Sequence, residues 1–102
     1  MKTANKLTPF SPTHPGEIIK DELEYRGISQ KQLSKQIDVP YTMLNEILNG
    51  KRPVTASFAI LIEAAMGIEA DLFVNMQARY NMQVARNDKK LQTRVEKMHH
   101  YQ

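Results

Sequence analysis

The sequence predicts an all-α protein: one domain of five short helices between a flexible N-terminal arm and a basic C-terminal tail. Three observations carry that prediction. Apolar residues recur at helical spacing from residue 15 to about residue 88, and no stretch alternates strictly between apolar and polar as a half-buried strand does. Each predicted helix has a recognisable start or stop, with Gly27, Gly50 and Gly67 placed as terminators. A chain of 102 residues, 41 % hydrophobic and 25 % charged, is long enough for one core and too short for two.

The first helix is expected over Pro15 to Arg26. Proline suits a first turn, Glu17 suits the positive end of the helix dipole, and Ile18, Ile19 and Leu23 form the inward stripe. Gly27 stops it, with Ile28 placed for the apolar contact that accompanies a left-handed cap. The second helix opens on Ser29-Gln30-Lys31-Gln32, the pattern of a capping box, and turns Leu33 and Ile37 inward. It must be short, because Pro40 forces Val39 out of helical geometry.

A third helix runs from about Pro40 to Leu48 and stops at Asn49-Gly50. The fourth starts with Thr55 as its cap and carries Phe58, Ala59, Ile62, Ala65 and Met66 inward up to Gly67. The fifth, from about Ala70 to Asp88, is marked by Leu72, Phe73, Met76, Tyr80 and Val84. Residues 1–12 form the arm, 13–88 the helical domain and 89–102 the tail. In that tail Leu91, Val95 and Met98 stand at helical spacing, so a helix formed on binding and a frayed end are both open.

Composition excludes several functions. Without cysteine there is no disulfide scaffold, thiolate metal site or cysteine nucleophile. The longest apolar run, Phe58 to Ile62, is far short of a membrane span, and the N-terminal residues lack the apolar core of a signal peptide. A soluble, cytoplasmic protein is expected. No glycine-rich phosphate loop or serine elbow suggests an enzyme, and no cofactor is implied. His14 and Glu17 lack a third metal ligand, and helix capping explains both better.

The net charge of +3 is distributed in alternating blocks. The informative block is 29–53, where Lys31, Lys35, Lys51 and Arg52 outweigh Asp38 and Glu46. It spans two short helices joined by a tight turn, the outline of a helix-turn-helix. With Leu44, Ile47 and Leu48 inward and Met43 at the edge, Tyr41, Thr42, Asn45, Glu46 and Asn49 line one polar strip. Asn reads adenine, Glu accepts from the cytosine amino group, and Thr or Met methyls meet thymine. The second helix offers Gln30, Lys31, Lys35 and Gln36 with no acid between residues 29 and 37, as suits a helix crossing the phosphates. Lys51 and Arg52 extend that set. Such a strip is also the ordinary solvated face of any small bundle.

The run from Gln30-Lys31-Gln32-Leu33-Ser34 to Asn49-Gly50-Lys51-Arg52 resembles the helix-turn-helix of the phage-repressor (Xre) class. Two further motifs, His14-Pro15-Gly16-Glu17-Ile18-Ile19 and Asn75-Met76-Gln77-Ala78-Arg79-Tyr80-Asn81-Met82, make residues 13–86 similar to the HigA family of antitoxins, which includes the VapI-like antidote proteins. The resemblance implies a homodimeric repressor that binds double-stranded operator DNA of its own operon and neutralises a RelE-like toxin, an mRNA endonuclease. It implies phosphate contacts from Ser29, Gln30, Asn49, Lys51 and Arg52, and base reading by Tyr41, Thr42, Asn45 and Glu46, with Met43 as an apolar contact. Four positions depart from the pattern: Ser34 for a small Ala, Asp38 for Gly, Pro40 for a capping Ser, and Leu61 for a charged residue. An exposed Leu61 would suggest a partner chain, and a Leu61 tucked against the fifth helix would not. The alternatives are a protein-interaction module that does not read DNA, and a stand-alone regulator.

Overall fold

The computed structural model describes residues 12–99. Among them are six helices and no strand: α1 (Pro15–Arg26), α2 (Gln30–Ile37), α3 (Tyr41–Leu48), α4 (Ala56–Met66), α5 (Ala70–Arg86) and α6 (Lys89–His99). The chain divides into two compact units, one of residues 13–77 and one that takes in residues 78–99. The expected arm lies outside the described residues except for Pro12, and so do residues 100–102 of the expected tail.

The caps explain where the helices of the first unit begin and end. His14 and Glu17 form a capping box at α1, and Gly27 closes it at φ 70°, with the Ile28 amide donating to the Leu23 carbonyl at 2.9 Å. At α2 the Gln32 amide donates to Ser29 Oγ (3.1 Å) and the Ser29 amide to Gln32 Oε1 (2.8 Å). Asp38 ends α2 in the left-handed region at φ 54°, which Asp tolerates better than most residues. Pro40 gives α3 no side-chain cap, so α3 begins at Tyr41 and depends on packing. Thr55 caps α4 through the Phe58 amide, and Glu63 of α4 accepts from the Ala70 amide at the start of α5.

The core of this unit gathers Ile19 and Leu23 of α1, Leu33 and Ile37 of α2, Leu44, Ile47 and Leu48 of α3, Phe58, Ala59, Ile62 and Met66 of α4, and Phe73 of α5. α3 packs on both α1 and α2, and α2 also packs on α4.

Two expectations are corrected. α5 turns Ala70, Phe73 and Gln77 inward, while Leu72 and Val84 are exposed and Met76 and Tyr80 half-buried. Its buried face follows Gln77 because the buried Val54 amide needs an acceptor, and Gln77 Oε1 supplies one at 2.8 Å. The second correction is the helix count, six rather than five: residues 89–99, where the sequence leaves a helix and a frayed end both open, are helical, with Asp88 Oδ1 accepting from the Lys90 amide at 2.9 Å. None of its side chains is buried. No helix among the described residues is long and apolar enough to cross a membrane.

Candidate nucleic-acid interface

α3 is held from behind before anything faces outward. Its inner side chains Leu44, Ile47 and Leu48 are buried, and the first turn of α1 lies directly against its C-terminal half. A Cβ at Gly16 would overlap the Ile47 carbonyl oxygen, so only glycine permits this approach. His14 secures the same corner. Its Nδ1 accepts from the Gly16 amide at 2.9 Å, its ring lies beside Gly50, and it makes a backbone hydrogen bond with Arg52. Burial of the ring lowers its pKa below the ordinary 6.5, so the imidazole is neutral at pH 7, as an accepting Nδ1 requires. The turn after α3 is thus fastened to the start of α1.

The outer side of α3 presents the expected strip. Tyr41 and Thr42 are exposed, Asn45 and Glu46 are half-buried, and Asn49 is exposed. Asn45 is not a loose surface amide: its Nδ2 donates to Gln30 Oε1 on α2 at 3.0 Å. Asn49 Nδ2 donates to the Asn45 carbonyl at 2.9 Å and to Asn45 Oδ1 at 3.2 Å. Glu46 pairs with Arg52, Nε to Oε1 at 2.6 Å, which supplies the basic neighbour a carboxylate needs beside phosphates. Met43, 36 % exposed, lies at the strip's edge and lines an apolar groove of about 290 Å³ with Ile47, Phe58 and Leu61.

Cations stand on the elements before and after α3. Lys31 and Lys35 stand exposed on α2, and Lys51 and Arg52 on the turn after α3. Ser29 Oγ accepts from the Gln32 amide through one of its two lone pairs, which leaves its hydroxyl proton for donation. The structure therefore gathers Gln30, Asn45 and Asn49 into one bonded group, joins Glu46 to Arg52, and leaves Tyr41, Thr42, Lys31, Lys35 and Lys51 outward. Sequence reasoning missed Lys20. This α1 residue reaches Asn49 Oδ1 with its Nζ at 3.2 Å across 29 positions of sequence. No local pattern signals that pairing. Leu61 is 38 % exposed beside Ile60 at 57 %, so it is not tucked away. Among the described residues no group of His, Cys, Asp and Glu has the arrangement of a metal site.

Two short helices at a tight turn, the second with an exposed polar strip and with cations on the elements before and after it, define a helix-turn-helix protein of the DNA-binding regulator class. A helix-turn-helix family model matches residues 19–73, more than half of the chain. Virulence-associated protein I of Dichelobacter nodosus is 36 % identical over 77 residues, covering 74 % of this chain and 71 % of that protein. An addiction module antidote protein of the HigA family from Coxiella burnetii superposes with a TM-score of 0.73 at 34 % identity, covering 84 % of this chain and 92 % of that one. The Pseudomonas aeruginosa antitoxin HigA, solved with the higBA promoter, gives a TM-score of 0.75 at 30 % identity, covering 83 % of this chain and 94 % of that one. The chain belongs to the helix-turn-helix family and has the Xre-type fold of the HigA antitoxins.

Proposed function

We propose that this protein is the antitoxin of a type II toxin-antitoxin module, acting in the cytoplasm as a homodimeric repressor of its own operon. It binds operator DNA through α3 and neutralises a RelE-like mRNA endonuclease. The observation that carries the DNA-binding part is the strip of Tyr41, Thr42, Asn45, Glu46 and Asn49, braced from α2 and flanked in the chain by Lys31, Lys35, Lys51 and Arg52. The promoter in the Pseudomonas aeruginosa antitoxin structure and the Coxiella burnetii antidote protein support the same reading.

A two-fold dimer would set its α3 helices in successive major grooves about 34 Å apart. Tyr41, Thr42, Asn45 and Glu46 then read base edges, with Met43 on a thymine methyl. Ser29, Gln30, Lys31, Lys35, Asn49, Lys51 and Arg52 hold phosphates. The exposed Ile60 and Leu61 of α4, next to the groove behind Met43, offer an apolar surface to the second copy.

The test is binding to the DNA upstream of its own reading frame, compared with random DNA over a range of salt. Asn45→Ala should lose about tenfold of the preference for operator over random sequence. Lys51→Ala should weaken both alike and lower the salt slope by about one. Equal losses on operator and random DNA for Asn45→Ala would remove the base-reading role. No binding to the promoter, with or without the product of the adjacent gene, would leave a protein-interaction module.

A further inference from the structure

The bonds that join the amides of the strip all run in one direction, and they start outside the helix-turn-helix. Lys20 Nζ of α1 donates to Asn49 Oδ1 at 3.2 Å. Asn49 Nδ2 donates to Asn45 Oδ1 at 3.2 Å and to the Asn45 carbonyl at 2.9 Å. Asn45 Nδ2 in turn donates to Gln30 Oε1 at 3.0 Å.

An ammonium has donors and no acceptor, whereas a carboxamide has an accepting end and a donating end. Lys20 on one side and the acceptor-only Asn45 carbonyl on the other both call for the oxygen of Asn49 toward α1 and its NH₂ toward Asn45. Asn45 then turns its oxygen to Asn49 and its NH₂ to Gln30, and Gln30 is left with its NH₂ free of the chain. Reversing Asn49 or Asn45 sets donor against donor or acceptor against acceptor on both of its sides, and reversing Gln30 sets donor against donor on its one bonded side. The only other cation of α1, Arg26, is paired with Glu22 at 2.9 Å, four residues back on the same helix.

We propose that Lys20 is a positioning residue for DNA reading: its ammonium, acting with the Asn45 carbonyl, holds the Asn49 amide and through it the direction in which the Asn45 and Gln30 amides point, and so which base edge α3 accepts. Bidentate recognition of adenine needs one amide N–H and one amide oxygen in fixed order, and the chain sets that order in the free protein. Gln30 at the far end then offers N–H donors, the groups a phosphate oxygen takes. This rests on the reading of α3 as the DNA-facing helix.

The experiment pairs Lys20→Met, which keeps the stem and removes the donor, with Lys20→Arg, which is still a donor without an acceptor. Side-chain amide NMR of the DNA-free full chain should show an Asn45 NH₂ with slowed proton exchange in wild type and Lys20→Arg, and about tenfold faster exchange in Lys20→Met. Selection from a random DNA pool should show Lys20→Met losing preference about threefold to tenfold at the same base pair that Asn45→Ala loses, with the salt slope unchanged. An Asn45 amide that ignores Lys20→Met overturns the proposal. So does an unchanged base preference with the salt slope lowered by about one, which marks a plain phosphate contact. If the wild type selects no sequence, the DNA-facing reading of α3 falls, and the amide spectrum alone decides whether Lys20 orders the chain.

Discussion

α3 and α6 are both short amphipathic helices, and they are held in opposite ways. α3, with eight residues and no side-chain cap, buries Leu44, Ile47 and Leu48 against neighbouring helices. α6, with eleven residues, buries nothing: Leu91, Val95 and Met98 are all at least 40 % exposed. Helices this short are marginal in isolation, so α3 exists because of its packing, whereas α6 rests on local bonds such as those to Asp88. An apolar stripe thus states what a helix could bury and does not say whether anything meets it. The helix that carries the polar strip is the one locked into the core. Its side chains are therefore presented at a fixed angle, as the proposed base reading would require.

Truncating the packed stripe should give the largest effect. Leu44→Ala removes a side chain with no exposure and should cost about 2–5 kcal/mol in denaturant unfolding. A loss below about 1 kcal/mol would mean that α3 is not fixed by its buried face. Gly16→Ala attacks the same helix from α1. A methyl there meets the Ile47 carbonyl, a backbone atom that cannot swing aside, and overpacking of this kind costs about 1–3 kcal/mol. Unchanged stability would show that α1 does not approach α3 so closely.

How much of this was legible in the sequence follows from how local each cause is. Ser29 with Gln32, Thr55 and Gly27 act within a few residues, so the boundaries of α1, α2 and α4 could be read directly. The polar strip was legible for the same reason: helical spacing alone puts Tyr41, Thr42, Asn45, Glu46 and Asn49 on one side. Gln77 was not, because its burial answers the Val54 amide 23 residues away. The bond from Lys20 to Asn49 was hidden similarly, since it exists only once α1 lies across the end of α3. In residues 89–99 the helical spacing was visible and the outcome was not, because the same stripe fits a helix and a frayed end equally.

The corner at His14 should respond to pH. Burial holds the native imidazole below its ordinary 6.5, so over the interval between the two values the unfolded chain binds more protons than the folded one. Stability from this site is therefore complete above about pH 6.5 and falls as pH drops through the lowered native value. Protonation would also remove the Nδ1 acceptor from the Gly16 amide. Glu17 and the Arg52 backbone face the ring and oppose the shift without reversing it. His14→Asn keeps a capping acceptor and cannot titrate, so its unfolding free energy should lose this component of the slope between about pH 7 and 5. An identical slope in His14→Asn and wild type would place the pH dependence elsewhere.

The smallest effect is expected in α6, and it tests the comparison most directly. Val95 is 41 % exposed, so Val95→Ala removes little buried area and should change unfolding stability by no more than about 0.5 kcal/mol at low protein concentration. Repeating the measurement at high concentration separates two kinds of exposed stripe. If the Val95→Ala difference stays small, Leu91, Val95 and Met98 face solvent in every copy, and packing is confined to the first unit. If it grows with concentration, a second copy covers the stripe, because only association makes stability depend on the amount of protein. α6 would then be packed in the same sense as α3, with its partner on another chain.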